Sequence, residues 1–121
     1  MSKPTVYDLE ERTTVLSENL IQLCKALEKN ILTIPLISQL IRSGTSIGAN
    51  YSEANGASSK KDFINKIYLC KKETKETLYW LRLLGKSISD ETVKGKCRVL
   101  WKETHELLLI FSRITSNQNK L

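Results

Sequence analysis

Basic and tyrosine residues are concentrated in one segment of the chain, residues 59–86, where they could bind a polyanion. This segment has eight lysine and arginine residues against three acidic residues, so it carries +5 of the chain's net charge of +6. At about 100° per residue, seven of the eight fall within a helical arc of about 120° that contains no acid. Lysines neutralise phosphates and tyrosine rings stack on bases, so the pattern predicts nucleic-acid binding. The predicted binding residues are Lys60, Lys61, Lys71, Lys72, Lys75, Arg82 and Lys86, together with Tyr68 and Tyr79.

The same basic face has two other interpretations. A lysine-rich helix face keeps a protein in solution without binding anything, and it also suits an adaptor that holds an acidic partner protein. The segment lacks the pattern of a recognition helix, which directs Asn, Gln or Arg side chains at base edges. Contacts to nucleic acid are therefore expected to be mostly to phosphates and to tolerate different base sequences.

The residues that could support catalysis, a metal or a cofactor do not form a recognisable set. The single histidine, His105, has Lys102 at the position where a di-iron bundle needs a glutamate. Residues 44–48 contain two glycines but lack the lysine of a phosphate-binding loop. The cysteines are odd in number and have no C-x-x-C spacing, which fits neither a disulfide framework nor a zinc site: Cys24, Cys70 and Cys97. We therefore expect no enzyme activity, no metal and no cofactor.

Length and composition predict one domain over residues 1–121. Hydrophobic residues make up 40% of the chain, with only five glycines and two prolines, which excludes collagen-like and disordered classes. No run of about 18 uncharged apolar residues exists, so no transmembrane segment is predicted. The first residues lack the apolar run of a signal peptide, and the expected location is the cytoplasm.

Apolar residues at alternating spacings of three and four predict four amphipathic helices, at about residues 5–29, 34–56, 59–86 and 90–116. The fourth helix is expected to bury Leu100 and Trp101. Short connections favour an all-α, antiparallel up-down-up-down four-helix bundle. The clearest apolar stripe is that of the third helix, and it consists of Phe63, Ile67, Cys70, Thr74, Thr77, Leu81 and Leu84.

The second and third helices are expected to pair closely around a turn near residues 57–59. Gly44 and Gly48 each cost helix stability, about 1 kcal/mol against alanine, so they indicate the close approach of another backbone. In an antiparallel pair about this turn, facing residues have numbers that sum to roughly 116, which brings opposite charges together. The ion pairs predicted in this way are Arg42 with Glu73 or Glu76, and Glu53 with Lys60 or Lys61.

Apolar residues of the third helix outside its main stripe predict an interface. Leu69, Trp80 and Leu83 lie roughly opposite that stripe, beyond what the core of one bundle covers. A second copy of the chain would cover such a patch, and this is the expected homo-oligomer interface. The alternative is partial burial under a neighbouring helix of the same chain.

The motifs of the second and third helices resemble the bacterial 23S rRNA intervening-sequence proteins, a family of small four-helix bundles. The resemblance is carried by residues 42–54, which include Gly44-Thr45-Ser46-Ile47-Gly48-Ala49, and by residues 59–66, 72–77 and 79–81. Residues 9–13 and 23–24 also fit the first helix of that family. The match extends over most of the chain.

This resemblance implies a non-enzymatic bundle with no catalytic residues. The related accessory variability determinants of diversity-generating retroelements are homopentamers that bind a reverse transcriptase and nucleic acid through a basic surface. A homopentameric ring would cover the extra apolar residues and repeat the basic face five times. The leading hypothesis is therefore an oligomeric accessory module that binds RNA or DNA backbone. The alternative is an adaptor for a partner enzyme, such as a reverse transcriptase, that does not itself contact nucleic acid.

Overall fold

The computed structural model describes residues 8–119, and this range contains four α-helices and no β-strand. The helices are α1 (Leu9–Ala26), α2 (Thr33–Asn55), α3 (Lys60–Ser87) and α4 (Glu91–Asn119). The predicted start of the first helix at residue 5 lies outside the described residues. The fourth helix continues to Asn119, beyond the end near residue 116 that its apolar pattern predicts.

Polar side chains define where three of the helices begin. The Ser59 hydroxyl accepts a hydrogen bond from the Asp62 amide at 3.0 Å, and the Asp90 carboxylate accepts one from the Val93 amide at 2.9 Å. Before α2, the side-chain oxygen of Asn30 accepts from the Thr33 amide at 3.0 Å. Each bond satisfies an amide that the first helical turn leaves without a partner, so the caps fix the ends of short connections.

Contacts between α2 and α3 show that these two helices run antiparallel. Arg42 of α2 meets Glu73 of α3, whereas Glu53, eleven residues later in α2, meets Lys66, seven residues earlier in α3. Each helix packs against the next one along the chain, and α4 returns to pack against α1. Of these four helix pairs, α2 and α3 have the most extensive contact and α1 and α4 the least extensive.

The helix that approaches the glycines of α2 is α1. A Cβ atom at Gly44 would overlap the Cδ1 atom of Leu20, and one at Gly48 would lie 3.3 Å from the Thr13 hydroxyl oxygen. Leu20 is fully buried, so it has little room to move. The absent Cβ atoms therefore allow α1 and α2 to pack closely, which accounts for two residues that weaken an isolated helix.

The apolar stripe of α3 is buried as a continuous row from Ile67 to Leu84, and only Phe63, near its start, is half-buried. Thr74 and Thr77 lie within this row, and their hydroxyls donate to the carbonyl oxygens four residues earlier, at 2.6 and 2.8 Å. A fully buried leucine or isoleucine contributes about 1.5–3 kcal/mol, so such rows dominate the stability of the bundle. The largest fully buried aliphatic and aromatic side chains are Leu16, Leu20, Leu40, Ile47, Ile67, Leu81, Leu84, Leu107 and Phe111.

Trp101 is not in the core, and its predicted burial is wrong. The buried stripe of α4 includes Leu100 and Leu107, whereas Trp101 lies at the edge of this stripe with 37% of its surface exposed. Its indole stacks on His105, one turn later, with ring centroids 5.1 Å apart and an angle of 7° between the planes. A large aromatic ring is therefore held in a fixed position on the surface.

Candidate nucleic-acid interface

The exposed face of α3 carries a continuous row of basic and tyrosine side chains, which we call the basic stripe. Its members alternate at spacings of four and three residues, so they lie one above another along a single line of the helix. The row extends over about 27 Å at 1.5 Å per residue, and all its members are exposed. The basic stripe consists of Tyr68, Lys72, Lys75, Tyr79, Arg82 and Lys86.

The remaining predicted lysines flank this stripe. Lys60 and Lys61 are exposed in the first turn of α3. Lys71 is half-buried, and its Nζ atom lies 6.0 Å from the centre of the Tyr68 ring, at the limit of a cation–π contact. All nine residues predicted to bind nucleic acid therefore lie on one helix, and the middle of the stripe forms a shallow depression between Tyr68 and Tyr79.

Arg42 pairs with Glu73 and Glu76, the acids nearest the basic stripe. Its guanidinium contacts Glu76 directly and lies 3.6 Å from the buried Oε1 atom of Glu73. Glu76 also accepts a hydrogen bond from Trp80 Nε1 at 3.0 Å. The structure thus brings Arg42 together with both of the glutamates that the hairpin geometry placed opposite it. Because Glu76 borders the depression of the basic stripe, Arg42 offsets a negative charge that would otherwise oppose a polyanion there.

The predicted pairing of Glu53 with Lys60 or Lys61 is wrong. Glu53 pairs instead with Lys66, at 2.8 Å. Lys66 faces α2, whereas Lys60 and Lys61 lie in the basic arc of α3, which is turned away from α2. The hairpin geometry predicted the position along α3 of the partner of Glu53 correctly to within two turns. Which side chain at that position meets Glu53 depends on how α3 is rotated about its axis. The hydrogen bond to Glu53 also raises the pKa of Lys66.

The three residues predicted as an oligomer interface differ in how far they are buried. Leu69 is exposed, Leu83 is half-buried, and Trp80 packs against the hydrophobic core of its own chain. For Trp80, the alternative of burial within the same chain is therefore the correct one. Its ring is fixed further by the hydrogen bond to Glu76 and by an edge contact with Tyr79, with centroids 5.0 Å apart.

A groove between α3 and α4 extends the basic surface beyond the predicted residues, and we call it the α3–α4 groove. Arg82 and Lys86 of the basic stripe form one rim, and Lys94 and Arg98 of α4 form the other. Trp101 lies at the end of the groove. The cations of α4 were missed because only the packing of the two helices shows that they face Arg82 and Lys86. Their spacing was a usable signal, since Lys94, Arg98 and Trp101 follow one another at four and three residues.

A second cluster that sequence reasoning missed joins α1 to α4. Arg12 is buried, with 8% of its surface exposed, and it makes two hydrogen bonds to Glu103, at 2.8 and 3.1 Å. Its Nη2 atom also lies 3.1 Å from Glu106. These carboxylates raise the pKa of Arg12, so it stays charged. Glu103 is 91 residues away in the sequence, which left no local pattern to detect.

The three cysteine thiols are buried. Burial raises the pKa of Cys24 to about 11 and that of Cys70 to about 12, and it also raises the pKa of Cys97. Thiols in this state are protonated near neutral pH and react slowly. Among residues 8–119, no group of three or more His, Cys, Asp or Glu side chains is arranged to hold a metal ion.

None of the four helices, over the described part of the chain, combines the length and low charge that a bilayer-spanning helix requires.

Comparison with known proteins connects this bundle to a family. A crystal structure from Bacteroides thetaiotaomicron VPI-5482, described as a protein of unknown function from the S23 ribosomal protein family, matches with a TM-score of 0.76 and 30% sequence identity. The match covers 88% of this chain and 96% of that one. No curated protein matches the sequence significantly. The family described as 23S rRNA-intervening sequence protein matches residues 7–95, which is well over half of the chain, and the protein therefore belongs to this family.

Proposed function

We propose that the protein is a non-enzymatic module that binds the backbone of RNA or DNA through the basic stripe of α3. The observation that carries the proposal is the separation of charge on this helix. Lysine and arginine side chains line the exposed face, while the acids Glu73 and Glu76 face Arg42 on the α2 side. A row of cations with its neighbouring acids neutralised attracts phosphates, and interspersed tyrosines add surfaces on which bases stack.

The proposed assembly is a homo-oligomer, and the likeness to accessory variability determinants suggests a pentamer. Exposed apolar side chains support an assembly of some kind, among them Leu69 on α3 and Val15 and Val99 beside the groove between α1 and α4. Five copies, each with a net charge of +6, would multiply the attraction for a polyanion. Light scattering of the purified protein tests the assembly, and a monomer at micromolar concentration would contradict it.

A salt titration of binding tests the function. The affinity of the wild-type protein for RNA and DNA strands should fall steeply as salt rises, because phosphate contacts release counterions. A triple variant with Lys71→Glu, Lys72→Glu and Lys75→Glu should bind more weakly. The slope of log affinity against log salt should flatten by roughly 2–3, at about 0.7–0.9 for each phosphate contact removed.

The matched control changes the same amount of charge on other helices. Lys25, Lys96 and Lys102 are exposed on α1 and α4, away from the basic stripe, and reversing all three gives the same net charge as the first triple variant. Equal losses for the two triple variants would mean that net charge alone drives binding, which contradicts a site on α3. Absence of binding at about 50 mM salt would also contradict the proposal. In that case, binding of an acidic protein surface would support the adaptor function.

A further inference from the structure

The α3–α4 groove combines cations with an aromatic surface. Its volume is about 490 Å³, within the range of about 300–1,000 Å³ that is typical of small-molecule sites. Leu81, Gly85 and Cys97 form an uncharged floor. Four cations line the rims: Arg82, Lys86, Lys94 and Arg98.

The cations of the groove have no acidic partners. Within residues 8–119, none of the four forms a salt bridge, and no carboxylate is among the lining residues. This differs from Arg12, Arg42 and Lys66, each of which is paired with glutamate. Four unpaired positive charges around one groove repel each other until an anion enters. The guanidinium groups of Arg82 and Arg98 suit a phosphate in particular, because each can donate two parallel hydrogen bonds to it.

Trp101 supplies the aromatic surface. The imidazole of His105, one turn later in α4, covers one face of the indole at a centroid distance of 5.1 Å. Trp101 also lines the groove, together with Cys97 and Arg98 one turn earlier in α4. The stack on His105 fixes the ring, so a flat ligand could stack on its free side without first ordering it.

We infer that the α3–α4 groove holds one unstacked base against Trp101, with the adjoining phosphates bound between Arg82 and Arg98. This inference rests on the proposed function and specifies its ligand as single-stranded nucleic acid. In a duplex the bases are stacked on each other and paired, so they have no free face to stack on the Trp101 ring. Arg82 belongs to both the basic stripe and the groove, so one strand can follow α3 and place a base at its end.

The test compares strands that differ in their bases and in their pairing. The probes are a 12-nucleotide RNA strand, an abasic strand with the same number of phosphates, and a duplex of the RNA strand with its complement. Trp101→Leu should weaken binding of the RNA strand by about tenfold, which is typical of the loss of one base–aromatic stack. Binding of the abasic strand and of the duplex should not change. Trp101→Phe keeps an aromatic ring and should restore most of the affinity for the RNA strand.

Each other result overturns the inference in a distinguishable way. Equal weakening of all three probes by Trp101→Leu, with circular dichroism confirming that the variant is folded, would show that the residue does not act by stacking. Unchanged RNA binding in this variant would leave the basic stripe as the site and remove the groove. If wild-type protein bound none of the probes, the proposed function itself would fail. In a Trp80→Phe variant, where Trp101 is the one remaining tryptophan, quenching of fluorescence by an acidic peptide, but not by RNA, would assign the groove to a protein partner instead.

Discussion

Two arginines on different sides of the bundle each lie between two glutamates, but their surroundings differ. Arg12 joins α1 to α4 and is buried, with 8% of its surface exposed and two hydrogen bonds to Glu103. Arg42 joins α2 to α3 and is 48% exposed, and its Nε atom donates to Gln39 on its own helix. The arginine is therefore the most buried member of the first cluster, whereas in the second cluster the arginine is the most exposed member and the glutamates are more buried.

The difference indicates separate roles. Of the four pairs of neighbouring helices, α1 and α4 have the least extensive contact, and Arg12 links them with charge-assisted hydrogen bonds. Between α2 and α3 the contact is the most extensive, so Arg42 adds little to cohesion there. Its position beside Glu76 and the basic stripe gives it an electrostatic role instead. We therefore assign Arg12 to stability and Arg42 to the binding surface.

The largest expected effect is that of Arg12→Met on stability. The methionine keeps the apolar part of the side chain but leaves Glu103 without its partner. Removing one member of a buried ion pair costs about 3–5 kcal/mol. Because Glu103 is 32% exposed, water compensates it in part, and we expect a loss of about 2–4 kcal/mol. Chemical denaturation monitored by circular dichroism measures this loss as a shift of the midpoint.

Arg42→Met is the matched control for this prediction, because it removes the same charge from a similar set of glutamates. An exposed ion pair contributes about 0.2–1 kcal/mol, but the buried Oε1 atom of Glu73 also loses the cation beside it, so we expect a loss of about 1–2 kcal/mol. High salt should reduce the cost of Arg42→Met and leave that of Arg12→Met almost unchanged. Equal losses for the two variants would contradict the assignment of Arg12 to stability.

A second prediction concerns the other side of α1 and has a smaller expected effect. Gly44→Ala places a Cβ atom against the buried side chain of Leu20, and overpacking of this kind costs about 1–3 kcal/mol. The better helix propensity of alanine returns up to about 1 kcal/mol, so a net loss of about 1–2 kcal/mol is expected by the same denaturation. Such tight packing against α2 would also prevent α1 from shifting to fill the space that Arg12→Met leaves.

Gly95→Ala supplies the control for this prediction, since nothing lies within 4 Å of a Cβ atom at Gly95. We expect it to stabilise the protein by about 0.5–1 kcal/mol through helix propensity alone. If Gly44→Ala were also stabilising, α1 and α2 would not be in the close contact described here, and α1 could relax toward α4.

The fold could be predicted because its signals are local. The spacing of apolar residues in α3 identified a stripe that is buried from Ile67 to Leu84. The predicted start of this helix near residue 59 agrees with the structure, in which the Ser59 hydroxyl accepts a capping hydrogen bond from the Asp62 amide. Gly44 and Gly48 indicated a close approach, although the sequence could not identify α1 as the helix that approaches.

The candidate site could be predicted only as far as it lies on one helix. The basic stripe was visible in the sequence because one helical wheel contains it. Arg98 and Trp101 were not recognised, because whether they face Arg82 depends on how α4 is rotated against α3, and a broad apolar stripe leaves that rotation undetermined. The rotation of α3 against α2 was undetermined in the same way, so Glu53 was predicted to pair with Lys60 or Lys61 although it pairs with Lys66. Arg12 was missed for a related reason, since a charged residue beside an apolar stripe usually points to solvent.

The smallest expected effect is that of Arg42→Met on nucleic-acid binding. This variant tests whether Arg42 offsets the charge of Glu76 beside the basic stripe. Without Arg42, the charge of Glu76 is no longer offset beside Lys72 and Lys75. One added negative charge at about 7 Å, in an environment close to water, disfavours a phosphate by about 0.6 kcal/mol. Binding of an RNA strand at low salt should therefore weaken about two- to threefold, as measured by fluorescence anisotropy.

Two controls separate this local effect from others. The double change Arg42→Met with Glu76→Gln restores the net charge and lets the amide oxygen still accept from Trp80, so it should recover wild-type affinity. Lys96→Met removes the same charge from α4, away from the basic stripe, and should have a smaller effect than Arg42→Met. If the double variant stayed weak, Arg42 would contact the strand itself rather than shield it from Glu76, and the basic surface would extend across α2.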